Sequence, residues 1–254
     1  MDGGTSVAPL IQVRDLTMAY GRKIIQRDLS FDVRAGEILV LMGGSGCGKS
    51  TLLRHLIGLH RAARGSIHYG EVDLGEADDD QMDALRRSFG VMFQAGALWS
   101  SMTVGENVML PLREFTELDE GEIETVARFK LALVGLSGSF DVSPADLSGG
   151  MKKRAAIARA MALDPPLLFL DEPSAGLDPL TSARLDELIL NLRHHLGTTV
   201  VMVTHELDSI FAVADRALFL DAKEKTMIAL DSPRALLEHG PEHVREFMRR
   251  GARA

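Results

Sequence analysis

The chain has 254 residues, 46% hydrophobic and 25% charged, with a mean hydropathy of +0.05; this balance fits a folded globular protein and excludes intrinsic disorder and fibrous repeats. Acidic residues outnumber basic ones by 36 to 28, a net charge of −8, so gripping nucleic acid is not its main work and local groups must hold any anionic ligand. The single cysteine, Cys47, excludes an internal disulfide and a cysteine metal cluster and fits a reducing compartment.

Met1–Pro9 has neither a basic flank nor a long apolar stretch, so no secretory leader is expected. Leu10–Tyr20, Ile24–Val33 and Ile38–Met42, rich in Ile, Val and Leu, predict strands, the first two antiparallel. Beyond Gly48, apolar residues at Leu52, Leu53, Leu56 and Ile57 predict a helix that stops near Gly58. The run from Glu71 to Asp83 holds seven carboxylates and no Lys or Arg, and reads as a solvated acidic loop. Phe89–Gln94, Leu167–Asp171, Thr198–His205 and Ala217–Asp221 predict short buried strands with polar ends, where open α/β sheets bind ligands. Between Gly96 and Leu147 the strand pattern lapses and Glu122–Leu133 predicts a helix, so an inserted helical region is expected.

Ser232-Pro233 predicts the cap and first turn of a C-terminal helix, and Gly240-Pro241 interrupts it before a basic end with Arg245, Arg249, Arg250 and Arg253. The same break separates His239 from His243, so no metal pair is expected there. Apolar runs are strand-sized, short of the roughly 18 to 20 residues a membrane helix needs.

Three motifs carry chemistry. Gly43-Gly44-Ser45-Gly46-Cys47-Gly48-Lys49-Ser50, followed by Thr51, matches G-x-x-x-x-G-K-[ST] between a predicted strand and a predicted helix. Its glycines turn backbone N–H groups onto phosphates, the helix N-terminus adds positive potential, Lys49 reaches the β and γ phosphates, and Ser50 can ligate Mg²⁺. The strand Leu167–Asp171 ends in adjacent carboxylates: Asp171 to hold Mg²⁺ and Glu172 to deprotonate an attacking water. Ser148-Gly149-Gly150 opens a helix as a second anion cradle, or simply as a Ser N-cap. Cys47 at a helix start admits two readings, a thiol of lowered pKa or a tolerated small residue.

Together these motifs resemble an ATP-binding cassette (ABC) ATPase over nearly the full chain. The resemblance implies an α/β fold: a P-loop NTPase (RecA-like) core with an N-terminal antiparallel β-subdomain and an inserted helical signature subdomain. As one domain over 1–254, the core would take 1–95 and 160–231, the helical part 96–159 and a C-terminal extension 232–254. Gly43–Thr51 becomes the Walker A loop, Leu167–Asp171 the Walker B strand and Glu172 the catalytic carboxylate. Leu147–Met151 becomes the signature, Gln94 the Q-loop residue and a Mg²⁺ contact, Ser174–Asp178 the D-loop, His205 the switch histidine, and Tyr20 the ring on adenine. The family pattern packs two cassettes head to tail, each ATP between one Walker A loop and the other chain's Ser148, Gly149 and Gly150, with Asp178 nearby. The signature helix, about 22 Å long, is not much longer than the returning strand, so spacing alone leaves an intrachain site open.

Phe93–Leu98, Thr103–Val108, Pro111–Glu114 and the Met151 ending are similar to the ATPases of Mla-type and Mce-associated lipid transporters. That resemblance implies phospholipid or lipid transport between membranes for outer-membrane lipid homeostasis, from the cytoplasmic face of the bacterial inner membrane. It implies a second copy of the chain, integral permease subunits, an Mce-domain lipid-binding subunit and a STAS-domain subunit as partners, and no nucleic acid. Most cassettes carry Gln where this chain has Met151, which removes an amide from the usual ribose contact. An importer ATPase for amino acids or another small solute is the alternative, ahead of a soluble cassette acting on DNA or ribosomes and of a P-loop kinase.

Overall fold

The structure is a computed structural model and describes residues 9–94 and 96–251; residues 1–8, Ala95 and 252–254 lie outside it, with most of the stretch read for a leader, one residue of the Phe93–Leu98 segment and Arg253. The chain opens with β1 (Ile11–Tyr20) and β2 (Lys23–Val33), an antiparallel hairpin pairing Ile11 with Val33 and Tyr20 with Lys23. β3 (Ile38–Gly43) leads through the glycine loop into α1 (Lys49–Leu56), and Gly58 follows its end in the left-handed conformation. β4 (Arg64–Tyr69) then returns antiparallel to β1, with β5 (Val72–Asp73) beside it.

The acidic run is not the loop its composition predicts. Its last five residues, Asp79 to Asp83, start α2 (Asp79–Ser88), where Asp78 accepts from Gln81 N–H and the Gln81 side chain accepts from Asp78 N–H. This reciprocal cap, with Asp79 and Asp80 in the first turn against the helix dipole, turns an acidic stretch into a helix start.

β6 (Phe89–Met92) precedes the helical stretch α3 (Val104–Phe115), α4 (Glu120–Leu133) and α5 (Gly149–Ala160). β7 (Leu167–Asp171), α6 (Pro179–Leu196), β8 (Thr199–Val203), α7 (Leu207–Val213), β9 (Arg216–Asp221) and β10 (Thr226–Asp231) follow, then α8 (Pro233–His239) and α9 (Glu242–Gly251). Among the described residues the strands form two sheets, a four-stranded one in the order β2-β1-β4-β5 and a six-stranded one in the order β10-β9-β3-β8-β7-β6. In the larger sheet β9, β3, β8, β7 and β6 are parallel and β10 is an antiparallel edge.

Alternation along the central strands divides two cores. Leu39 and Leu41 of β3, Leu167 and Phe169 of β7, and Val201 and Val203 of β8 pack toward the smaller sheet and α1. Ile38, Val40 and Met42, Leu168 and Leu170, and Val200 and Met202 pack toward the helices on the other face. Covered on both sides, these strands read as unbroken apolar runs. At the N-terminal edge Arg216 of β9 donates to both oxygens of Glu37, just before β3, at 2.9 and 2.7 Å, leaving the C-terminal ends of the strands for the ligand.

Candidate functional site

β3 ends at Gly43, with φ of +143°, and a Cβ there would lie 2.3 Å from the Leu220 carbonyl of β9, so only glycine lets the chain leave between these strands. The loop wraps Lys49, whose buried ammonium donates to the carbonyls of Gly43 at 3.1 Å and Gly44 at 3.3 Å. From below, the fully buried Gln26 of β2 donates to the carbonyls of Cys47 at 2.6 Å and Asp221 at 2.9 Å, tying the loop to the end of β9.

Ser50 at the start of α1 donates its hydroxyl to Asp171 Oδ1 at 3.0 Å across 121 residues of sequence. Burial raises the Asp171 carboxyl above the usual aspartate value, while the Ser50 bond and the nearby cations Arg54, Lys49 and Lys153 oppose that shift. The next residue, Glu172, is buried and has a left-handed backbone, φ +52°, with its N–H bonded to the Val203 carbonyl at 2.9 Å. Glu172 Oε1 lies 3.0 Å from His205 Nδ1, and its Oε2 is buried without a hydrogen-bond partner. His205 lies just past β8 and is mostly exposed, and Gln94 lies in a turn just past β6.

These groups converge on one cavity of about 610 Å³, lined by Gly43 to Gly46, Gly48 to Thr51, Gln94, Glu172 and His205. Ile25 of β2 and Phe247 of α9 complete the wall; neither sits in a local motif, and only the tertiary fold brings them there. Tyr20 stands apart at the hairpin tip, about half exposed, with its hydroxyl 3.3 Å from His60 Nε2 and its ring edge-on to that imidazole.

The Ser148, Gly149 and Gly150 cradle is not in this cavity. Ser148 caps α5, accepting from Met151 N–H at 3.3 Å, and with Gly149 it is exposed. A Cβ on Gly150 would lie 2.4 Å from Thr181 Cγ2 of α6, so glycine sets that helix contact. Ser148 and Gly150 line a separate cavity of about 510 Å³ with Met151 and Arg154, and Met151 packs against the helical core. Asp178 is also outside the glycine-loop cavity: it caps α6, accepting from Thr181 N–H at 3.0 Å, and its bonds from Thr181 hold its carboxyl below the usual value.

Of the two readings of Cys47, the activated thiol is overturned. The side chain is 2% exposed beneath the loop, and burial raises its pKa, outweighing the opposing Lys49 charge. Maleimide should therefore label Cys47 far more slowly in the native chain than in denaturant, with or without ATP. Native labelling as fast as denatured labelling overturns that burial.

The sequence of residues 26–175 matches the family described as ABC transporter. The chain belongs to the ABC transporter ATPase family. As an ABC ATPase it binds and hydrolyses ATP, and it is an ABC transporter ATP-binding subunit. The cassette is 41% identical over 97% of its length to the probable ribonucleotide transport ATP-binding protein mkl of Mycobacterium leprae, of which it spans 71%. It is 38% identical over 96% of its length to the intermembrane phospholipid transport system ATP-binding protein MlaF of Escherichia coli K12, spanning 90% of that protein.

Among solved ABC cassettes it is similar to MJ0796, a dimer in a post-hydrolysis state with ADP and Pi, at TM-score 0.78 and 29% identity over 87% of this chain and 98% of that one. It is also similar to cbiO1 of Clostridium perfringens, at TM-score 0.83 and 27% identity over 97% of both chains. No helix among the described residues of this ABC ATPase is long and apolar enough to cross a membrane.

Proposed function

We propose that this ABC ATPase powers phospholipid transport between membranes, working as a head-to-tail pair on the cytoplasmic face of the inner membrane. The observation that carries this reading is the match to MlaF, which runs over 96% of this chain and 90% of that protein. A ribonucleotide cargo is the second reading, favoured by the 41% identity to mkl, although the chain spans only 71% of that relative.

In the proposed cycle the backbone N–H groups of the glycine loop and Lys49 take the phosphates of ATP, Tyr20 stacks on adenine, and the partner's Ser148 cradle closes over the γ-phosphate. Glu172 accepts a proton from the attacking water, and His205 holds the γ-phosphate side of the site. Ser50, Asp171 and Gln94 would hold Mg²⁺: a hydroxyl, a carboxylate and an amide carbonyl form a hard oxygen set, and the Ser50–Asp171 contact already joins two of its donors. The chemistry such an ion would supply there is neutralisation of phosphate charge. Gln94, between β6 and the helical stretch, couples nucleotide to the permease. The organisation proposed from sequence, core 1–95 and 160–231 with helical part 96–159 and extension 232–254, gives that coupling its moving part. Mce-domain and STAS-domain subunits complete the proposed assembly.

The test is tagged purification of the chain from its own membranes, with copurifying proteins and lipids identified by mass spectrometry. A permease, an Mce-type subunit and bound phospholipid are expected. Recovery with a solute-binding importer, or only in the soluble fraction, overturns the lipid role.

A further inference from the structure

We propose that Lys153 is a positioning residue that holds the backbones of Glu172 and Gln94 in register with the signature helix. The proposal rests on the reading of Glu172 as the hydrolytic base and deepens it. Lys153 lies in α5 five residues after Ser148, about 7.5 Å along the axis. While Ser148 is exposed at the helix tip, Lys153 is turned inward and only 8% exposed. Its ammonium donates to the carbonyl oxygen of Gln94 and to that of Glu172, the latter at 3.0 Å.

A buried ammonium is costly to desolvate, and burial lowers the Lys153 pKa, with the charges of Glu172, Asp171 and Glu206 opposing that shift. A charge placed there at that cost makes two charge-assisted bonds no apolar side chain can make. Both go to main-chain carbonyls of residues the hydrolytic reading needs, on segments 78 residues apart in sequence. Glu172 is the more sensitive of the two. Its left-handed φ of +52° is strained for a residue with a Cβ and needs support from its surroundings.

That support comes from two sides: the Glu172 N–H is held by Val203 of β8, and its carbonyl by Lys153 of α5. Without the ammonium the carbonyl keeps only the longer contact from Ala175 N–H at 3.3 Å. The peptide is then free to rotate, and the carboxylate swings with it. One helix thus presents a cradle at its tip and, on its inner face, fixes the chain's own base, so a shift of α5 is felt directly at Glu172.

The test uses the full chain and compares Lys153→Met, which keeps the length and loses the donors, with Lys153→Arg, which keeps charge and donors. Steady-state hydrolysis gives kcat and KM, and an equilibrium titration gives ATP affinity. Lys153→Met should lose about 10- to 100-fold in kcat with ATP affinity within about 3-fold of wild type, because misplacing a reacting group costs rate before binding. Lys153→Arg should recover most of that loss.

If Lys153→Met does not fold, as read by circular dichroism, Lys153→Leu, which also has no donor, takes its place with the same expectation. A kcat within about 2-fold of wild type in the neutral variant overturns the proposal, as does a joint loss of kcat and affinity that Arg does not rescue. Glu172→Gln is run alongside: if it hydrolyses at the wild-type rate, the base reading itself falls and takes this proposal with it, whereas an inactive Glu172→Gln beside an active Lys153→Met removes Lys153 alone.

Discussion

Glu172→Gln should hydrolyse ATP about 10²- to 10⁴-fold more slowly than wild type while still binding it, the loss expected when a general base is removed. The substitution keeps the shape of the side chain, so the cavity of about 610 Å³ and the left-handed backbone at position 172 are undisturbed. What changes is proton affinity. The carboxylate has one oxygen 3.0 Å from His205 Nδ1 and a second, Oε2, buried with no hydrogen-bond partner, so its proton-accepting capacity is not used up by the protein. An amide has no oxygen that takes a proton near neutral pH, and its NH₂ group puts a donor where an acceptor stood. The groups proposed to bind phosphate, the glycine loop and Lys49, are untouched, so ATP affinity stays. Phosphate release and nucleotide binding, measured on the same preparation, separate the two effects. A variant that turns over at the wild-type rate removes Glu172 from the role.

The glycine loop was legible in the sequence because all of its chemistry is local: strand, turn and helix follow within a dozen or so residues, and Gly43, Lys49 and Ser50 are fixed by that spacing. Asp171 and Glu172 were legible for a different reason. A buried apolar strand in a parallel sheet delivers its last residues to the same edge as its neighbours, so Asp171 meets Ser50 although 121 residues separate them. Gln94 and His205, placed just past strand ends, follow the same rule.

Other features depended on what lies far away in the chain. Arg64–Tyr69 was not predicted as a strand because it has few apolar residues; it becomes one by pairing with β1, with Ile67 and Tyr69 inward. The edge strand Thr226–Asp231 is only half-buried, so its pattern is equally weak. In the acidic run, counting charge hid the Asp78–Gln81 cap. At Cys47 the helix start left an activated thiol open as one of two readings, but its place in the apolar core between the sheets decides the burial that raises its pKa. Lys153 lies in the sequence between Lys152 and Arg154, three basic residues just past the Ser148 cradle, and charge alone does not single it out. Its place on the same helical face as Gly150 and Ile157, both buried, was the available signal that it points inward.

Ser148→Arg addresses the question that spacing left open, whether the signature serves its own chain's nucleotide or another's. The residue is exposed and lines a cavity that shares no residue with the glycine-loop cavity, so the substitution leaves the ATP-binding loop of its own chain intact. It removes the cap on Met151 N–H, for about 0.5–2 kcal/mol, and sets a bulky cation where the helix dipole is already positive. ATP should therefore still bind to the single chain, while hydrolysis by the pair falls about 10²-fold or more because donors to the γ-phosphate are lost.

Mixing supplies the decisive arm. Lys49→Ala is inactive through its own phosphate loop, and Ser148→Arg is inactive through its signature. If each site joins the loop of one chain to the signature of the other, a mixed pair holds one site with both parts intact. An equimolar mixture should then recover up to about a quarter of wild-type turnover, since about half the pairs are mixed and each has one good site of two. If the signature served its own chain, every site in the mixture would carry a defect and turnover would stay at the level of the inactive parents.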